Sequence, residues 1–116
     1  MKITRETRFR INAVTPFLKS LSNTSYFPIQ QKAISGDADF IVCCNGKFVW
    51  LELKADDGEA SELQQYKALW VAKTNGAVFI ARPENWTCVK QLIKEIENGK
   101  TIKDELNESG IYGRFK

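Results

Sequence analysis

Histidine is absent from this 116-residue chain, and cysteine is confined to Cys43, Cys44 and Cys88. Without histidines, and with a single thiol beyond the adjacent pair, the spacing of a zinc site is missing. Nor do three cysteines make a disulfide framework; they suit a reducing compartment, with packing as the role of Cys43-Cys44. No apolar run approaches the roughly 18 residues needed to cross a bilayer, and the N-terminal stretch lacks a signal-peptide core. No membrane partner is expected, and the expected location is the cytoplasm. What remains is ordinary for a globular protein: 43% hydrophobic and 27% charged residues, in a length suited to one domain over 1–116. No internal repeat interrupts it.

Charge is divided unevenly. Residues 1–35 carry six Lys/Arg against Glu6 alone, whereas residues 36–116 carry eleven basic and thirteen acidic residues. Within 36–62 seven acids face only Lys47 and Lys54. A polyanion is attracted to the first segment and repelled by the second unless cations neutralise it. A solvated basic helix explains the first segment equally well.

The stretch Gly36–Lys54, GDADFIVCCNGKFVWLELK, reads as a β-hairpin. Two apolar runs flank Asn45-Gly46, the dipeptide most favoured in a two-residue type I′ turn. With that loop, Asp39 falls opposite Glu52 and Asp37 opposite Lys54, and all four project from one face. Opposed Cβ atoms lie roughly 4.5–5.5 Å apart, close enough for two carboxylates to share a cation. The other face, with Phe40, Val42, Val49, Leu51 and Leu53, is core.

Upstream, Thr4 suits the N-cap of a helix starting at Arg5. Phe9, Ala13 and Phe17, with Ile11, Val14, Leu18 and Leu21, form its apolar face, and Pro16 predicts a kink or break near Val14. Ser22–Ser25 is a polar turn, and Tyr26–Ala33 fits a short edge strand because Pro28 is excluded from a central one. Downstream, Ala55–Ala60 is a charged loop. Ser61 and Gln64 make a capping box for a helix that runs through Lys73 and stops at Gly76. Ala77–Ala81 is a strand, expected to pair parallel to Lys47–Lys54 through a right-handed crossover. A last amphipathic helix buries Val89, Leu92, Ile93 and Ile96 and ends at Gly99; the segment after Lys100 yields no assignment. The fold class is α/β, a small mixed β-sheet containing the antiparallel hairpin and flanked by helices.

Two facing carboxylates and the main-chain carbonyl of Leu53 offer hard oxygen ligands, the chemistry of Mg²⁺ or its substitute Mn²⁺ rather than zinc. Mg²⁺ keeps several waters, and one of them can attack a phosphodiester. Lys54, on the face of Glu52, is placed to lower that water's pKa or hold it in line. A bare surface cluster of Glu52, Lys54 and Asp37 is the bland alternative; the opposition of Asp39 and Glu52 weighs against it.

The ordered set Gly36-Asp-Ala-Asp39, hairpin, Glu52-Leu-Lys54, Gly-containing loop, Ser61-x-x-Gln64 and Gly76-Ala-Val-Phe-Ile80 resembles the VRR-NUC branch of the PD-(D/E)xK nucleases over about residues 34–82. The resemblance implies a restriction-endonuclease-like core, with Asp39 and Glu52 as metal ligands and Lys54 as the catalytic lysine. It also implies that Gln64 is a helix residue reaching the site, although closing the capping box explains it as well. Glu6 matches an acid of the family's first helix; an acid stabilised by the helix dipole is the alternative. Ala38 stands where the family usually has proline, and Asp37 is an additional acid that binds a second cation or pairs with Lys54. The reading is a metal-dependent endonuclease acting on DNA, with junctions or flaps as substrates and Arg5, Arg8, Arg10 and Lys19 as DNA contacts. A homodimer is plausible, in the host cytoplasm if the chain is viral. The competing classes are a nucleic-acid-binding domain that keeps the fold without cutting, and a structural protein whose acids are merely solvated.

Overall fold

The computed structural model describes residues 4–29, 39–55 and 61–115. At its centre β2 (Phe40–Cys44) and β3 (Lys47–Leu53) form the hairpin. Asn45 and Gly46 take φ of 51° and 80°, both positive as a type I′ turn demands. The pairing runs from Cys44↔Lys47 to Phe40↔Leu51, the register expected from that turn. Phe40, Val42, Val49, Leu51 and Leu53 are all buried on one face. The expected Asp37–Lys54 pair, residues 30–33 of the expected edge strand and most of the charged loop lie outside the described residues.

Strand β1 (Thr24–Pro28) adds antiparallel to β2 at the edge of the sheet, where among the described residues Pro28 interrupts no further ladder. Strand β4 (Ala77–Ala81) pairs parallel to β3, and β5 (Ile111–Tyr112) parallel to β4, giving the order β1-β2-β3-β4-β5. Every residue of β4 is buried, as suits a strand covered on both faces. The short β5 belongs to the segment left unassigned from sequence. Gly110 (φ 82°) and Gly113 (φ 101°) bracket it, and a Cβ on Gly113 would sit 2.5 Å from the Ile80 carbonyl oxygen. Only glycine lets the chain lie this close to β4.

Helix α1 (Arg5–Phe9) is capped by Thr4, whose Oγ1 accepts from the Thr7 N–H at 3.1 Å. Of the kink or break expected near Val14, the break does not occur, and the helix is instead irregular at that point. The chain passes through a π-helical turn, Arg10–Val14, into α2 (Thr15–Ser20), and the Thr15 N–H donates five residues back to Arg10 O. Widening the helix ahead of Pro16 makes room for a ring that otherwise presses on the carbonyl four residues earlier. Ile11, expected inward, is instead 54% exposed. Helix α3 (Glu62–Lys73) closes with Asn75, not Gly76, in positive φ (71°); Gly76 is needed because a Cβ there would meet Val71 at 2.5 Å. Helix α4 (Trp86–Glu97) buries Val89, Leu92, Ile93 and Ile96 as expected.

The sheet thus separates two apolar layers. One joins α1, α2 and α4 to the inward residues of β2, β3 and β4. There Trp86 is met edge-on by Phe9 and Phe17, each with its ring centroid at 5.5 Å. The second layer, smaller, places Ala68 of α3 with Trp50, Val78, Ile80 and Ile111. Cys44 packs in the first, its Sγ 3.4 Å from Thr24 Oγ1 and 3.6 Å from Ile93 O, and burial raises its thiol pKa. Cys43 is exposed, so packing is the role of Cys44 alone.

Candidate active site

Side chains alternate along β3, so Val49, Leu51 and Leu53 face the larger layer while Trp50 and Glu52 face α3. Glu52 is fully enclosed and is the only buried charged residue among those described. The Trp50 Nε1–H donates to its Oε1 at 3.4 Å, a long bond from a neutral donor. Holding a carboxylate here costs several kcal/mol more than holding an apolar residue of the same size. Ordinary core packing gives no reason to keep it.

Asp39 occupies the rung after Phe40↔Leu51, the one that register assigns to Glu52. Its main-chain oxygen accepts from the Ile29 N–H at 2.9 Å, which continues the β1–β2 ladder by one step. Its carboxylate is fastened to the other strand: Oδ2 accepts from the Leu53 N–H at 2.7 Å. This bond to the amide beside Glu52 fixes the acid at the strand end. In a strand the N–H and C=O of one residue point to the same side, so the Leu53 carbonyl also faces Asp39.

Lys54 follows directly. Its N–H donates to Ala81 O at 2.9 Å, and its Nζ donates to Gln64 Oε1 at 3.2 Å. The same oxygen accepts from the Ser61 N–H at 3.0 Å, while Ser61 Oγ accepts from the Gln64 N–H at 3.1 Å. Gln64 therefore closes the capping box and also holds the lysine. Helix α3 is the arm that positions Lys54.

Glu6 reaches the region from the other side. It lines a groove of about 680 Å³ with Arg10, Thr15, Tyr26 and Asp39. Glu6 and Arg10 are one helical turn apart on the N-terminal helix, so both reach this wall. Asp39 is shared between groove and hairpin end, but Glu52 does not line the groove. The two expected metal-ligand carboxylates are thus neighbours in register and opposite in environment, one open and one enclosed. Among the described residues no group of three or more His, Cys, Asp or Glu is set to hold a metal ion. A second cavity, about 440 Å³ and lined by Lys47, Gly76 and Lys103, lies toward the hairpin turn, away from these acids.

The expected DNA contacts are dispersed. Arg5 pairs with Glu84 at 3.3 Å, both largely exposed, and such a pair adds little stability. Arg8 and Lys19 are exposed on the helical segment, and Arg10 lies at the groove. Sequence reasoning missed Trp50 as the partner of Glu52. The signal was there, since residues two apart on a strand share a face. It also missed Tyr26 in the groove, which only the β1–β2 pairing reveals. Comparison with family models, curated proteins and solved structures returned no match.

Proposed function

We propose that this chain is a divalent-metal-dependent endonuclease that hydrolyses DNA phosphodiester bonds, selective for junctions or flaps. One observation carries the reading: a fully buried Glu52 shares its rung of the hairpin with an Asp39 fixed on the Leu53 amide, with Lys54 held alongside by Gln64. The donor set consists only of oxygens, the carboxylates of Asp39, Glu52 and Glu6 and the Leu53 carbonyl, which fits Mg²⁺ or Mn²⁺. When bound, the cation supplies neutralisation of phosphoryl charge and a more acidic water. Because Glu52 is enclosed, cation loading is expected to break its contact with Trp50.

The chain's own residues supply the rest. Asp39 keeps its position because its second tie, through its main-chain oxygen to Ile29, is independent of the carboxylate. Lys54 carries the positive charge that orients the attacking water or stabilises charge developing on the phosphate. Gln64 holds the lysine on the Glu52 side of the sheet. Arg10, at the groove, offers a cation to a DNA phosphate. The same reading expects a homodimer in a reducing cytoplasm, where the three free thiols stay reduced.

The enclosure of Glu52 and the absence of a three-acid group among the described residues favour a second reading, a nucleic-acid-binding domain that does not cut. Plasmid, linear, flap and four-way-junction DNA, each tested with Mg²⁺, Mn²⁺ and EDTA, separate the two. Cleavage with metal and none in EDTA is the expected result. Binding without cleavage in every condition selects the second reading, and neither binding nor cleavage rejects both.

A further inference from the structure

The outer face of α3 is unusual for a helix on a sheet. Tyr66 and Trp70 are 65% and 63% exposed, with ring centroids 6.4 Å apart, and Leu63 extends the same stripe toward the first turn. Single exposed apolar side chains are common, but two large rings in contact with each other and with water mark a surface that receives something. Beside this ridge is a shallow pocket of about 470 Å³, walled by Trp70, floored by Trp50 and edged by Lys67, Val71 and Thr74. The Thr74 hydroxyl bonds back to the carbonyl oxygens of Trp70 and Val71, each at 3.1 Å, and so fixes the helix end that forms one wall.

We propose that this pocket takes an unpaired nucleobase from a single-stranded segment of nucleic acid, stacked on Trp70, with the adjoining phosphates met by Lys67 and Lys73. The proposal rests on the nuclease reading above and names the feature of the substrate that this face recognises. Flat indole surface suits any base, because every base has a π-face, and flanking cations follow the backbone. Charge decides between occupants. Among the described residues Lys67 alone brings a charge to the pocket lining, and Lys73 stands exposed on the same helix; both are cations, a complement for phosphate. A second copy of this chain has a net charge of +3 and so gains less from two lysines than a polyanion does.

The floor ties the pocket to the candidate active site. Trp50 Nε1–H is the group that contacts Glu52 Oε1, so a base resting on this indole lies one side chain from the buried carboxylate. A strand with an unpaired base here runs beside Gln64 and Lys54, which the same helix holds. Recognition of a single-stranded segment next to the cleavage site is the property that a flap- or junction-selective enzyme needs.

The test uses the full chain in EDTA, with fluorescein-labelled (dT)10 and a 10-base-pair duplex as probes, read by anisotropy and tryptophan quenching. Wild type is expected to bind (dT)10 with quenching, and Trp70→Ala to weaken it roughly 5- to 100-fold while changing duplex binding less than about twofold. Trp70→Phe retains most of the affinity and Lys67→Ala flattens the salt dependence by about one unit. Trp70 is exposed, so these variants keep the fold, which circular dichroism verifies. Equal loss on both probes, or no loss on either, overturns the proposal. So does a sedimentation mass of two chains that Trp70→Ala reduces to one, which assigns the ridge to a second copy. Wild-type plasmid cleavage in Mg²⁺ is scored separately: (dT)10 binding without cleavage fails the nuclease reading and leaves the pocket, and the reverse result fails the pocket alone.

Discussion

The two faces of β3 are built on different rules, although their residues alternate along one strand. Toward α1, α2 and α4, Val49, Leu51 and Leu53 pack into an apolar cluster, and Trp86 locks the first and last helices together between two rings. Toward α3, the strand places Trp50 and Glu52, and the helix answers with an alanine at the centre and a glutamine at the edge. The first face maximises buried apolar area. The second spends part of that area on a carboxylate that a simple core excludes. A fold retains such a residue most readily where it is used, which is why the proposed function draws its buried carboxylate from the smaller layer.

The comparison breaks most visibly on the structural face. Trp86→Ala removes a large side chain that two rings grip edge-on, and is expected to cost about 3–5 kcal/mol in urea unfolding. DNA binding is then lost only in proportion to the unfolded fraction. A variant that stays folded yet loses binding outright would mean that the larger layer serves function directly.

On the other face the expected losses are chemical rather than structural. Lys54→Ala leaves both carboxylates and is expected to lower cleavage roughly 10²- to 10⁴-fold with Mn²⁺ affinity retained. Glu52→Gln keeps an acceptor for Trp50 but removes the charge. It is expected to lose Mn²⁺ binding and cleavage together while apo stability holds or rises by up to about 1–3 kcal/mol. Calorimetric Mn²⁺ titration and urea unfolding of both variants check the pair. Equal metal binding in wild type and both variants would place the cation elsewhere.

A finer cut separates the two duties of Gln64. Ser61→Ala and Gln64→Ala each open the capping box and are each expected to cost about 1 kcal/mol. Only Gln64→Ala also frees the Lys54 ammonium, so only this variant should lower cleavage beyond what its stability loss explains. Equal cleavage by the two at equal folded fraction would reduce Gln64 to a cap.

How much of this was legible depended on how local each cause was. The Asn45-Gly46 turn fixes the hairpin register by itself, so the opposition of Asp39 and Glu52 follows from two residues. The caps at Thr4 and Ser61 are equally local. The environment of Glu52 was not legible, because it depends on where α3 lands, and α3 is apolar on its outer face as well as its inner one. Tyr66 and Trp70 disguise which side is buried. Strand β5 was hidden for the opposite reason: two residues carry no periodicity, and only the glycines at 110 and 113 hint at a close approach. At Pro16 the sequence rule named the place of the irregularity but not its form, since a helix can widen instead of breaking.

The smallest expected effect is a change with pH on the structural face. Burial raises the Cys44 thiol above its ordinary 9.0, helped by the nearby Glu97 and Cys43 and opposed by the hydrogen bond from Thr24. In the unfolded chain the same thiol ionises at its ordinary value. Folding therefore holds a proton that the unfolded state releases, and the unfolded state gains on the native one as pH climbs past that value. Stability should be level in this respect below pH about 9 and should fall above it until the folded thiol itself ionises. Cys44→Ala removes the group. Urea midpoints for wild type and Cys44→Ala between pH 7 and 10 isolate its share as the difference between two slopes. The wild-type midpoint should fall more steeply at the alkaline end, and parallel slopes would mean that Cys44 ionises as easily inside the protein as outside it.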